Sequence, residues 1–309
     1  MRPRLGALIA IVLWGCSFVA TRIALRELSP VTLIFTRFAF GTGLLVLALL
    51  ARRKPLVPPA DSWPMLALMG FVGVFLHQLL QSYALVTTTA VRAGWLIGLI
   101  PLWSALIAGV FLGERFGAVK SAGLALGFAG AVVVVTRGRL GPGVLALPTT
   151  RGDLLILAST LNWAIFGALG HGTLRRLGSL RATTGAMFLG WLMLALLFVR
   201  NEGWRDYPRL TGPGIAAVLF LGFGASGLGY LFWYGALAKI ETTRVAAFLY
   251  LEPLVTLIAS MAVLGEEVHA ATIVGGLMVL GGVALVQRPP RRAPAARPAR
   301  MSEEKEVRS

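Results

Sequence analysis

Residues Leu85 to Glu114 and Leu237 to Glu266 carry one pattern twice, at a constant offset of 152 residues. With Pro101 set over Pro253, Ala84-Leu85 falls on Ala236-Leu237, Arg92 on Arg244, Leu99 on Leu251, and Gly113-Glu114 on Gly265-Glu266. Downstream, Gly123 falls on Gly275 and Gly130 on Gly282. The chain therefore reads as a tandem duplication, and each copy holds about five apolar segments of membrane length. An odd number of spans per copy forces the second copy to enter the membrane upside down. Inverted repeats are a building plan of secondary transporters, with the substrate site near the midplane between the halves.

Composition supports a membrane setting. Hydrophobic residues make up 57% of the chain and charged residues 14%, with mean hydropathy +0.78. Soluble domains carry roughly 25% charged residues, so this chain has too little polar surface to cover a water-soluble globule. Its long apolar runs fit helices rather than the alternating strands of about 10 residues in a barrel. The fold expected is an all-α integral membrane protein of ten transmembrane helices, arranged as two inverted five-helix repeats. A net charge of +16 invites a nucleic-acid partner, but the charge sits in short loops and a tail, where it is first a topology signal. Cys16 is the single cysteine, which excludes an internal disulfide.

The ten spans run roughly over Leu5–Leu25, Val31–Ala51, Met65–Leu85, Thr89–Leu112, Gly117–Thr136, Leu154–Leu174, Ala182–Val199, Ile215–Leu237, Val245–Leu264 and Ala271–Gln287. The repeats are then 1–137 and 154–287, joined by a linker at 138–153 and followed by a basic tail at 288–309. The tail lacks apolar periodicity and is expected to be disordered. With the N-terminus inside, 19 lysines and arginines fall on the inner side and 8, Arg92 among them, on the outer side. Both termini are therefore expected in the cytoplasm, with 138–153 periplasmic. The first apolar stretch exceeds a signal peptide's core of about 7–15 residues, so it is kept as a span.

Trp14-Gly15-Cys16-Ser17-Phe18 resembles the Trp-Gly-x-x-Phe motif that opens the EamA-like branch of the drug/metabolite transporter superfamily. Arg37 matches that family's arginine in the second span. The repeated Ala-Leu, Pro and Gly-Glu progression, with a glycine-rich last helix in each half, is similar to its repeat. The resemblance covers about Leu5 to Gln287. It implies a ten-helix bundle in which the first four helices of each half surround a central cavity, and it implies export of small metabolites across the bacterial inner membrane. It names no substrate. The second half shows no clear counterpart of Arg37.

Several residues could carry transport. Arg37 lies well inside the second span, where a charge costs roughly 2.5–3.5 kcal/mol. Glu252, just before Pro253, is the acid deepest within a span. Each either contacts substrate or a proton, or belongs to an internal structural pair. Arg22, about one turn from a span end, is expected to snorkel to the headgroups. His77, Gln78 and Gln81 form a polar patch, and at the repeat offset Gln78 meets Tyr230 and Gln81 meets Trp233. One wall is thus polar and its mate aromatic, which suits an amphipathic ligand. Interhelical hydrogen bonding explains the polar patch equally well. Trp14, Trp95 and Trp163, with Asn162 and Ser17, extend the candidate substrate-binding set. Packing is the ordinary use of any one tryptophan. Pro101 and Pro253, read as lying within helices, are expected to kink them and form a hinge or gate. Glu114 and Glu266 are expected to end their helices at the membrane surface. Gly123, Gly127 and Gly130, and Gly275, Gly276, Gly281 and Gly282, form small-residue faces for packing within the protomer or in a dimer.

The sequence holds no phosphate-binding loop, no histidines at metal spacing and no nucleophile with a base, so no enzyme and no cofactor is expected. The expected function is secondary export of small polar or amphipathic metabolites such as amino acids by alternating access. Efflux of drugs and cationic compounds is the alternative within the class. An intramembrane enzyme acting on a lipid-linked substrate, or a passive channel, stands outside it. The expected partners are a small-molecule substrate and membrane lipid; proton coupling and a homodimer stay open.

Overall fold

The computed structural model describes residues 3–112, 117–139, 148–237, 239 and 247–287. The expectations at Gly113, Glu114, Arg244 and the tail from 288 onward fall outside them, as does 140–147 of the linker. The described residues are helical throughout, joined by short turns. We number the main helices α1 (Pro3–Ala24), α2 (Pro30–Ala51), α3 (Ala60–Thr87), α4 (Ala90–Ile97), α5 (Ile100–Leu112) and α6 (Ala118–Thr136). After these come α7 (Pro148–Leu177), α8 (Ser179–Arg200), α9 (Gly212–Ala236), α10 (Glu252–Leu264) and α11 (Ala270–Val286).

Among the described residues, eight segments are long and apolar enough to cross a membrane: α1, α2, α3, the α4–α5 pair, and α6 to α9. The last two apolar helices are shorter, Phe248–Leu264 and Ala270–Val286. The 17 residues of α11 reach about 25 Å at 1.5 Å per residue, against roughly 30 Å of hydrocarbon. In the other direction, α7 is 30 residues long and begins at Pro148, so the last part of the expected linker belongs to a helix. Large apolar side chains cover the outside, with Val110 74%, Leu196 73% and Ile258 68% exposed. Such a surface suits lipid rather than water.

The glycine faces of α6 and α11 meet each other inside the protomer. A Cβ placed on Gly123 would lie 2.8 Å from the carbonyl oxygen of Gly282, and one on Gly275 would lie 2.7 Å from that of Gly130. The two backbones cross in direct contact, which only glycine permits. The repeat mates therefore use these faces on one another.

Two departures from regular helix shape the interior. Residues Phe71–Leu76 in α3 and Phe220–Gly229 in α9 are wound as π-helix. At the repeat offset the first stretch falls within the second. The fourth expected span is also discontinuous. Its first piece, α4, ends at Ile97 and its second, α5, starts at Ile100. In the second half a 3-10 turn over Ala247–Leu251 precedes α10. Each proline, expected to kink its helix, stands where the winding changes rather than in the middle of regular α-helix. Pro101 and Pro253 each stand second in a helix that restarts after a break. There a missing N–H costs nothing and the fixed φ favours a first turn.

Candidate functional site

A cavity of about 80 Å³ lies near mid-length of the bundle, lined by seven segments of the chain. Trp14, Ser17 and Phe18 come from α1, Arg37 from α2, His77, Gln78 and Gln81 from α3, Trp163 from α7 and Tyr230 from α9. The two helix breaks close it. Ile97 and Ile100 flank the first break; Leu249 and Glu252 flank the second. These four are mates at the offset of 152, Ile97 with Leu249 and Ile100 with Glu252. The repeat therefore places two equivalent backbone interruptions on one cavity and puts a carboxylate on only one of them.

Arg37 is buried, and no ion pair joins it to a carboxylate among the described residues. Its Nε donates to Ser226 Oγ at 3.0 Å, and its guanidinium lies 5.2 Å from the Phe38 ring centroid. Ser226 sits in the π stretch of α9, held against α2 by close approach: a Cβ on Gly41 would lie 2.6 Å from that of Ser226. Arg37 and Glu252 face one cavity, yet no ion pair among the described residues joins them. The direct pairing that the sequence allowed is not used here. His77 Nδ1 contacts the Ser159 carbonyl at 3.1 Å, and its ring lies 4.7 Å from Trp163. Gln78, which lines the cavity, has a buried Oε1 with no partner among the described residues.

The aromatic wall is built in depth. Trp14 Nε1 donates to the Ala225 carbonyl at 3.0 Å, within the π stretch of α9. Its ring packs edge-on against Tyr230 at 5.5 Å and tilted against Trp233 at 5.2 Å. Ser17 Oγ is spent on the Trp14 carbonyl at 2.7 Å.

Three expected site residues lie behind the lining. Trp233 backs Trp14 rather than lining the cavity. Asn162 donates from Nδ2 to the Val72 carbonyl at 2.6 Å, taking up a backbone acceptor in the π stretch of α3. Trp95 is only 1% exposed and packs its ring where a Cβ on Gly276 would stand. Helical spacing alone could not say which face of α4 or α7 turns inward. Conversely, Ser226 and Ser159 went unnoticed because a single serine in an apolar helix carries no signal. Ile97, Ile100 and Leu249 could have been found by applying the repeat offset to Glu252 and its neighbours.

At one end of the bundle the connections are tied to one another by hydrogen bonds. This end carries the α1–α2, α3–α4, α8–α9 and α10–α11 connections. Glu27 accepts from the backbone amide of Thr211 at 2.7 Å and from its hydroxyl at 2.6 Å, at the start of α9. In return, Asp206 of the α8–α9 connection accepts from the amide of Ser29, the N-cap of α2, at 3.0 Å. Glu266 reaches across to α4 and accepts from the amides of Ala90 and Val91, both at 3.0 Å. The span does end at Gly265, in the left-handed conformation at φ 62°. The carboxylate that follows caps the repeat mate of its own hairpin, where a helix N-terminus favours negative charge. Arg22 is held at this end by the same carboxylate. It donates to the Leu85 carbonyl at 2.9 Å and lies 3.8 Å from Glu266.

Arg92 is likewise no surface charge. It is 3% exposed and pairs with fully buried Asp153 on α7. Thr88 donates to the same carboxylate, and Arg92 donates to the Val135 carbonyl of α6 at 2.7 Å. Asp153 was placed in the linker by sequence, so this lock was missed.

The chain matches the family model described as the EamA-like transporter family twice, over residues 2–136 and 150–288. The chain belongs to the EamA-like transporter family. It is 32% identical to an uncharacterized transporter of Archaeoglobus fulgidus, over 90% of this chain and 94% of that one. It is 30% identical to a probable terminal-alkyne amino-acid exporter of Streptantibioticus cattleyicolor, over 94% of this chain and 96% of that one. A solved crystal structure, 23% identical, matches its fold with TM-score 0.65, over 92% of this chain and 97% of that one. The family, the names of its relatives and the apolar helices make the chain a multi-pass membrane transporter of the drug/metabolite superfamily. Its setting is lipid and its cargo a small molecule.

Proposed function

We propose that this EamA-like protein is a secondary transporter that exports small polar or amphipathic metabolites, amino acids among them, by alternating access. The observation that carries the reading is the cavity between two repeat-related helix breaks, bearing Arg37 on one wall and Glu252 on another. A zwitterion has a carboxylate for the first and an ammonium for the second, and an apolar side chain could lie on Trp14, Trp163 and Tyr230. We take these residues, with Ser17, His77, Gln78 and Gln81, as the substrate set, and Trp95, Asn162 and Trp233 as its support.

At about 80 Å³ the cavity holds only a few waters, each needing roughly 10–15 Å³ by this measure. A substrate must therefore open it, and the tied end describes one closed gate. The ten-span reading follows if the two short helices complete the second half. The halves are then inverted, and the tied end is periplasmic under the charge bias, with both termini in the cytoplasm of a bacterial cell. The relative named as an amino-acid exporter supports this substrate class.

The test is counterflow of radiolabelled amino acids in proteoliposomes holding the purified protein. Saturable exchange for at least one apolar amino acid, lost in Arg37→Ala and Glu252→Gln, supports the reading. Absence of exchange across the amino-acid set overturns it. Cationic compounds are the second reading, favoured by the aromatic rings around Glu252, since a desolvated cation gains from such faces. It gains ground if an aromatic cation exchanges where amino acids do not.

A further inference from the structure

A second, larger pocket of about 370 Å³ opens at the end of the bundle that carries the α2–α3 and α7–α8 connections. Its size lies in the range of small-molecule sites, roughly 300–1,000 Å³. Three elements supply cations to it. Arg52 ends α2, Lys54 follows in the α2–α3 connection, and Arg181 stands in the first turn of α8. Among the described residues no carboxylate lines it. The sequence had assigned these charges to membrane topology alone.

The start of α8 adds to them. Gly178, Ser179 and Leu180 line the pocket, and the N-cap Gly178 has no side chain with which to satisfy the first N–H groups. A Cβ on Gly178 would meet nothing within 4 Å, so space opens above that turn. A helix start carries about +0.5 charge, and the ends of α2, α7 and α9 nearby carry about −0.5 each. Against three full cations these partial charges leave the pocket strongly positive. The remaining wall is apolar: Leu49, Leu177 and Leu231, with Tyr234. The pocket is also separate from the central cavity. Tyr230 lines the latter and Tyr234 the former, and the two rings lie 6.2 Å apart.

We propose that this pocket binds a phosphate or carboxylate group carried on an apolar body. The cations and the uncapped helix start take the anion, and the leucines and Tyr234 take the body. Both an anionic phospholipid of the adjacent leaflet and a soluble amphipathic anion have this chemistry. The site stands apart from the transport reading and does not depend on it.

The test uses the full chain purified in a neutral maltoside detergent. The probes are dihexanoyl phosphatidylglycerol, dihexanoyl phosphatidylcholine and octanoate, with binding followed by native mass spectrometry and thermal shift. Saturable binding of phosphatidylglycerol or octanoate, above that of phosphatidylcholine, is expected. It should weaken by at least about tenfold in the Arg52→Gln/Lys54→Gln double variant, a loss of about 1.4 kcal/mol. Arg181 also donates to the Val57 carbonyl, so Arg181→Gln is a second variant judged only if its size-exclusion profile is unchanged. Binding of phosphatidylglycerol alone assigns the site to lipid. Binding of octanoate alone assigns it to a soluble anion. Equal binding of phosphatidylcholine and phosphatidylglycerol, no anion binding, or undiminished binding in the double variant overturns the proposal.

Discussion

Glu27 and Thr211 lie 184 positions apart in sequence, yet the carboxylate of one caps the helix that follows the other. Thr211 is the N-cap of α9 but makes no cap of its own, so the cap comes from the opposite half. The side-chain and backbone hydrogen bonds from Thr211 hold the Glu27 carboxyl below the usual glutamate range. A depressed carboxylate contributes stability above its unfolded value, about 4.3, and loses it as pH falls further. Closure of this end should therefore weaken below about pH 4.3 in the wild type. In Glu27→Gln that step should shrink. Labelling of a cysteine at Arg209, in a Cys16→Ala background, measures both.

The buried Arg92–Asp153 pair should dominate the stability of the same end. Removing one partner of a buried pair costs about 3–5 kcal/mol because it strands the other charge. Asp153→Leu should lower the melting temperature in detergent sharply. The double variant Arg92→Met/Asp153→Leu should recover most of the loss. A double variant as unstable as the sum of its parts would show that the contacts to Thr88 and Val135, rather than the charges, matter.

Arg37 and Glu252 line the cavity without pairing. Arg37→Ala and Glu252→Gln should therefore each cut exchange at least about tenfold, roughly 1.4 kcal/mol of transition-state binding, while the protein still inserts and purifies. Ser226→Ala should act in the same direction but less, since it only positions the guanidinium. Ile100→Glu, which gives the first break the acid of the second, should alter substrate preference. Normal exchange in both charge variants would remove the cavity from the mechanism.

Pro101 and Pro253 each stand in the first turn of an α-helix that follows a change of winding. Alanine there would supply the missing N–H and let each break close into continuous helix. If the breaks are paired gates, Pro101→Ala and Pro253→Ala should shift cysteine accessibility at the two ends in opposite directions. A shift in the same direction, or none, leaves the prolines with the shape of the cavity only.

Much of this was legible in the chain. The offset between Pro101 and Pro253 anticipated two copies, and the mates Gln78 and Tyr230 do share a cavity. Arg37 and Glu252 stood out because charge in an apolar helix needs a wet or polar surrounding. What the sequence hid was direction. Periodicity shows that Trp95 is apolar company for something but not whether that is substrate or Gly276. Nor could it show that Arg92 turns inward to Asp153, since a charge near a span end fits headgroups and a buried partner alike. The breaks were hidden because proline marks both a kink and a fresh start.

The π-wound turns of α3 and α9 give the lining an arithmetic basis. A π turn holds one residue more than an α turn closing the same rise. Every side chain beyond it is thus rotated by about 100° from where unbroken α-helix would set it. Gln78 and Gln81 lie just past one such turn and Tyr230 just past the other. Losing a single residue anywhere between Phe71 and Leu76 would barely shorten the chain. It would nonetheless swing the amides out of the cavity and bring their neighbours in. Drift in helix length, rather than replacement of any lining side chain, is then the most economical way for a relative of this fold to change what it recognises.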